Sequence, residues 1–144
     1  MKIAEISLEP QYCRFRNYDL RIMAFDKNHM IKRQRAFVLK VFEMIDDLPN
    51  GLVYDTISKQ LIRCSTSVGA NYRAACRAKS TADFINKLKI VEEEADECLY
   101  FLDLLSAVKN TDINVLSELM KEANEFLAIT VASIKTAKNN KENK

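Results

Sequence analysis

Mostly apolar or small side chains recur in four blocks of this sequence at alternating steps of four and three residues. That spacing lays a stripe along one face of an α-helix. The first block is Gln34, Val38, Val41, Ile45 and Leu48, with Phe37 and Phe42 widening the stripe. The second is Ile57, Leu61, Cys64, Val68, Asn71, Ala75 and Ala78. Phe84, Leu88, Val91, Ala95, Cys98, Leu102 and Leu105 form the third, and Leu116, Met120, Ala123, Leu127, Thr130, Ile134 and Ala137 the fourth. A period near 3.5 calls for helices that pack against one another at shallow, left-handed angles.

The punctuation between the blocks agrees. Leu48-Pro49-Asn50-Gly51 ends the first helix, expected over about 30–48, and reverses the chain. The second helix is expected from about Val53 to Ala78. Ser80 then supplies a cap and Asp83 stands three residues on, as in a variant capping box. A third helix follows from about Thr81 to Lys109, and Asn110-Thr111-Asp112 provides the last turn and the cap of helix four. Connections of a few residues force neighbouring helices to run antiparallel, because a parallel return needs a crossover as long as a helix. The expected fold is all-α, an antiparallel up-and-down four-helix bundle. Only two Gly and two Pro occur in 144 residues, which removes the turn chemistry an all-β chain requires. The length suits one domain.

The bundle is expected over 30–138. Residues 1–29 have apolar residues without a helical period, interrupted by Pro10 and Asn17, and are read as an appendage. Three forms remain open for it: an ordered arm using Tyr12, Phe15 and Tyr18, a disordered tail, or an extension upstream of a start at Met30. Residues 139–144 are expected to be a polar tail. Lys135, Lys138, Lys141 and Lys144 make this end charge-rich, which serves solubility or nonspecific phosphate contact.

Catalytic and metal chemistry find little support. His29 is the sole histidine, and Cys13, Cys64, Cys76 and Cys98 contain no Cys-x-x-Cys pair, so no metal site is expected. The run Glu92-Glu93-Glu94-Ala95-Asp96-Glu97 lacks the Glu-x-x-His partners of di-iron bundles and reads as a solvated or salt-bridged face. No nucleophile with its base and no glycine-rich phosphate loop can be assembled, so neither an enzyme nor a cofactor is expected. Cys64 and Cys98 fall on the apolar stripes as small core hydrophobes with free thiols, which fits a reducing cytosol. Neither a signal-peptide run nor an apolar stretch of about 20 residues is present, so the expected location is cytoplasmic, away from any membrane.

The middle of helix two is the unusual segment. Ser65, Thr66, Ser67, Gly69 and Asn71 are mediocre or poor helix formers gathered in one stretch. Arg63, Ser67 and Asn71 follow at steps of four as a polar stripe, while Gly69, Ala70, Ala74 and Ala75 would let a neighbouring helix approach. On a structural reading, Asn71 and Arg63 pair with carboxylates of helix three, such as Glu92, Glu93 or Asp96, and fix register. On a functional reading the segment is a recognition surface, with Arg73, Arg77 and Lys79 as an exposed basic patch able to grip phosphate. Helix two, over 53–79, carries five positive residues and one negative. Helix three, over 81–109, carries three positive and seven negative. Complementary packing accounts for such opposition, and so does a nucleic-acid surface. The formal net charge of +2 excludes the overall basic bias of dedicated nucleic-acid packers, leaving only a local patch.

The run from Lys59-Gln60-Leu61-Ile62-Arg63 through Ser67-Val68-Gly69-Ala70-Asn71-Tyr72-Arg73-Ala74-Ala75-Cys76-Arg77-Ala78-Lys79-Ser80 is followed by Asp83-Phe84-Ile85 and Val91-Glu92-Glu93-Glu94-Ala95-Asp96-Glu97. It resembles the bacterial four-helix bundle proteins encoded in intervening sequences of 23S rRNA genes, over about Met30 to Lys138. The resemblance implies an up-down bundle, no known enzymatic activity and a ring-like homopentamer. More remotely the sequence is similar to the accessory variability determinant proteins of diversity-generating retroelements, basic pentamers that bind nucleic acid and a reverse transcriptase. That likeness makes Arg63, Arg73, Arg77 and Lys79 the first residues to test, although the modest charge here departs from those basic proteins. Two functions are therefore expected in competition. One is a homo-oligomer that binds RNA, DNA or a nucleic-acid enzyme through helix two. The other is a self-assembling or protein-binding scaffold whose polar stripe serves register alone.

Overall fold

The computed structural model describes residues 27–108 and 111–142. Among these residues are four helices and no strand: α1 (Lys27–Asp46), α2 (Leu52–Ala75), α3 (Thr81–Ser106) and α4 (Ile113–Glu142). The helices run up and down. α2 and α3 share an extensive close seam, as do α3 and α4, whereas α1 approaches α2 less extensively and α4 at few points. None of the described helices is long and apolar enough to cross a membrane.

Local chemistry sets the boundaries. After α1 the chain tightens, Asp47 and Leu48 donating to the carbonyls of Met44 and Ile45 at 3.3 and 3.1 Å. Gly51 reverses it at φ +154°, a conformation that favours glycine. α2 stops at Ala75, three residues short of the Ala78 expected from the stripe. There Arg77 and Ala78 donate to Ala74 and Ala75, three residues back, at 3.0 Å, which closes the helix and frees the chain for the next cap. The Ser80 hydroxyl accepts from the Asp83 amide at 3.1 Å, and the Asp83 carboxylate accepts from the Lys79 amide at 3.0 Å, one residue earlier than in a standard capping box. Thr111 Oγ1 donates to the carbonyls of Leu105 and Val108 at the end of α3, and Asp112 accepts from Asn114 N at 2.9 Å at the start of α4. α3 ends at Ser106 rather than Lys109.

The buried line follows the expected stripes with local offsets. α3 buries Leu88, Val91, Ala95, Cys98, Leu102 and Leu105 as expected, but Ile85 rather than Phe84 is fully covered. α1 buries Met30, Gln34, Phe37, Val41 and Met44, while Val38, Ile45 and Leu48 pack at the edge of the core. α4 likewise buries Leu119 and Phe126 where Met120 and Leu127 were expected. In α2 Asn71 stays half-buried and Tyr72 takes the covered position. Each fully covered leucine, such as Leu61, Leu88 or Leu116, contributes about 1.5–3 kcal/mol relative to exposure. The appendage proposed for 1–29 lies outside the described residues up to position 26, and Lys27, Asn28 and His29 form the first turn of α1. At the other end, α4 runs on through positions 139–142.

Candidate nucleic-acid interface

The polar stripe of α2 divides into residues that serve the bundle and residues that face solvent. Arg63 reaches across to α3, donating from Nη1 to Glu94 at 3.1 Å and from Nη2 to Glu97, with Nε on Gln60 at 3.2 Å. The expected partners Glu92, Glu93 and Asp96 are replaced by Glu94 and Glu97, the carboxylates one face further round α3. The Glu97 bond, aided by the charge of Glu94, raises the Arg63 pKa above its ordinary value. At 47% side-chain exposure this is a surface clamp rather than a buried pair, and screening keeps its worth small.

Asn71 does not cross to α3. Its Nδ2 donates to Ser67 O and Oγ at 2.9 and 3.0 Å, inside its own helix. Ser65 and Thr66 likewise donate back to Ile62 O, at 3.2 and 2.7 Å. Each of these hydroxyls spends its donor on a carbonyl of its own helix. Beneath them the Cys98 thiol lies 3.2 Å from Cys64 Sγ across the α2–α3 seam, both sulfurs fully covered. The contact with Cys64 and burial push the Cys98 thiol well up.

Arg73, Arg77 and Lys79 remain. Arg73 stands in the last turn of α2, where the macrodipole favours a cation. Arg77 and Lys79 lie beyond it, in the α2–α3 connection, so the basic patch is mounted on a helix end and its turn rather than along helix two. Arg77 and Lys79 are exposed and Arg73 is half-buried. None of the three forms an ion pair with a described residue. The nearby Asp83 is engaged by Lys87 Nζ and then by the Lys79 amide, which with the charges of Lys87 and Lys79 hold its carboxyl below the usual range. The arrangement can receive phosphate oxygens from solvent.

Sequence reasoning missed a second charged cluster. Arg33 of α1 grips Glu122 of α4 with Nε and Nη2 at 2.8 and 2.7 Å, and Glu125 with Nη2 at 2.6 Å. Its guanidinium also lies 5.6 Å from the centroid of the Phe126 ring, which Phe37 meets edge-on at 5.5 Å. The spacing of Glu122 and Glu125 on one helix face was the available signal, but the partner on α1 could only be found in three dimensions. Among the described residues no group of His, Cys, Asp and Glu side chains could hold a metal ion. The acidic run of α3 instead supplies Glu94 and Glu97 to Arg63.

Comparison with known proteins followed the same segment of chain. Residues 26–132 match the 23S rRNA-intervening sequence protein family. A protein of unknown function from Bacteroides thetaiotaomicron, described as a member of the S23 ribosomal protein family, has a crystal structure that is 32% identical in sequence. The match has a TM-score of 0.67 and covers 76% of this chain and 97% of that one. No curated protein matches the chain.

Proposed function

Because the chain belongs to the 23S rRNA-intervening sequence protein family, we propose that it is a non-enzymatic, homo-oligomeric bundle that binds RNA or DNA through phosphate contacts from Arg73, Arg77 and Lys79. One observation carries this reading: three cations without an ion pair to a described residue are concentrated at one helix end and its turn, where no carboxylate other than the engaged Asp83 is near in sequence. Arg63 joins them only in part, since its guanidinium clamps α2 to α3. A pentamer is the assembly the family resemblance implies, and the cytoplasm is the compartment in which such a protein would meet its partner.

The test is titration of labelled RNA and DNA at several salt concentrations against the native protein and Arg73→Glu/Arg77→Glu. The native protein should bind with an affinity that falls steeply with salt, and the double variant should bind more weakly with a shallower salt slope. Unchanged affinity in the variant, or no binding at low salt, refutes the reading. A scaffold without nucleic acid is favoured by a different feature, the exposed apolar side chains Ile62, Ile90 and Tyr100 on α2 and α3. Light scattering that gives a monomer mass would refute the oligomer in both readings.

A further inference from the structure

The charge of this bundle is sorted by end, and the sorting is visible only once the helices are folded against one another. Antiparallel packing brings the N-termini of α1 and α3 together with the C-termini of α2 and α4. The cross-links fix this arrangement: Arg33 meets Glu122 and Glu125 where the two halves adjoin, Lys40 meets Glu118, and Arg63 meets Glu94 and Glu97. Residues 27–36 of α1 carry four Lys or Arg and no carboxylate. From 64 to 80 the α2 segment carries three and none, and from 128 to 138 the α4 segment carries two and none. The other end is the reverse in α1, α3 and α4. Residues 37–47 hold three carboxylates against one Lys, 94–108 of α3 hold four against no cation, and 112–127 of α4 hold four against one.

Helix electrostatics explain part of this but not all. Cations at the C-termini of α2 and α4, and Asp55 and Asp112 near their N-termini, suit the macrodipole. In α1 the order is inverted: the first turn has no acidic residue, the last has no basic one, and Lys32 and Arg35 stand near the N-terminal end while Asp46 closes the helix. That inversion works against the local stability of α1. What α1, α2 and α4 share is the end of the bundle to which their cations are delivered; the first half of α3, 81–93, lies at that end with Asp83, Glu92 and Glu93 against Lys87 and Lys89, and the first half of α2, 52–63, lies at the other with Lys59 and Arg63 against Asp55. A surface built by three helices at some local cost is the signature of an interaction.

Resting on the proposed nucleic-acid reading, we infer that the polyanion docks end-on against the whole basic end of the bundle. Lys32 and Arg35 of α1 and Lys135 and Lys138 of α4 then contribute phosphate contacts beside Arg73, Arg77 and Lys79. All four added residues are exposed, and none forms an ion pair with a described residue. A phosphate backbone fits this surface because it presents charge at regular intervals to cations on separate elements, whatever the base sequence.

The experiment compares four double variants of the full chain: Arg73→Glu/Arg77→Glu, Lys32→Glu/Arg35→Glu, Lys135→Glu/Lys138→Glu, and Lys59→Glu/Lys121→Glu from the acidic half. Each removes the same amount of positive charge from exposed or half-buried positions, and circular dichroism confirms the fold. Binding of a labelled oligonucleotide, single- and double-stranded, is measured at low and moderate salt. The first three should each weaken binding by about tenfold or more, and the acidic-half variant by much less. If only Arg73→Glu/Arg77→Glu weakens binding, the end-on surface is wrong and the helix-two patch stands. If all four weaken it equally, net charge alone is responsible and the surface is again wrong. Absence of any binding by the native protein sinks both readings. A salt-sensitive gain in mass without oligonucleotide, lost on reversal of the basic end, would assign that end to the acidic end of a second copy and overturn the proposal.

Discussion

Gln34 sits at 2% exposure on the inner face of α1, and its Oε1 has no hydrogen-bond partner among the described residues. A buried acceptor left unpaired costs about 1–3 kcal/mol, so Gln34→Met, which keeps the length and removes the polar atoms, should raise the stability measured by urea unfolding by about 1–2 kcal/mol. A loss of stability instead would mean that the amide is satisfied in solution. Facing it, Gly69 is in helical conformation, and a Cβ there would meet only Gln34 Cβ at an ordinary 3.9 Å. Gly69→Ala should therefore stabilise by about 0.5–1 kcal/mol, in contrast to the close helix approach that the small residues suggest in sequence. The Cys64–Cys98 contact makes a third prediction. The Cys98 thiol is raised by its neighbour and by burial, so the folded state favours the neutral form. Its contribution is complete below the ordinary thiol value of about 8.5 and is lost as pH climbs above it, because the unfolded chain ionises first. Unfolding curves of Cys98→Ala should show a smaller decline across that alkaline range than those of the native protein. That these cysteines are core residues was readable from the stripe, since position in a heptad reports burial. The orphaned Gln34 oxygen was not, because whether a polar atom finds a partner depends on side chains from other helices.

At the scale of the element, the caps carried more local information than the stripe. Ser80 and Asp112 were readable as caps and act as such. Replacement of Ser80 by Ala should cost about 1 kcal/mol in thermal or urea unfolding, the usual worth of an N-cap. Asp83, whose carboxyl is held low by Lys87 and the Lys79 amide, supports the same turn. Its contribution is present above the usual carboxylate range and fades as pH falls through and below it, so Asp83→Asn should flatten that part of the acid unfolding profile. The stripe fixed each helix and its inner side but not the centre of that side. Phe37 and Met44 bury more deeply than Val38 and Ile45 because an apolar face more than one residue wide admits two adjacent lines. The early end of α2 was hidden for a related reason. Ala75, Cys76 and Ala78 suit a helix by composition, and the capping of α3 draws the chain out before they can continue it.

For the whole molecule, the placement of charge by end and the attachment of α1 depend on topology, and neither is legible from spacing within one helix. Arg73, Arg77 and Lys79 could be identified as cations in sequence, but their company with α1 and α4 arises only when the helices run up and down. The same topology leaves α1 the least extensively packed helix. Its main ties to α4 are the Arg33 fork on Glu122 and Glu125 and the edge-on contact of Phe37 with Phe126. Elements with fewer close contacts open at lower free energy than the core they cover. α1 amides should therefore exchange with solvent deuterium faster than those of central α3, whose Leu88 to Leu105 line is sealed between α2 and α4. Arg33→Met keeps much of the apolar stem beside Phe126 and deletes the fork, leaving Glu122 and Glu125 unneutralised. It should further lower α1 protection while leaving that of α3 almost unchanged, as expected if α1 lifts away as a unit. Equal loss of protection in both helices would show that the bundle opens only globally, and that the Arg33 cluster stabilises the whole fold rather than the docking of its first helix.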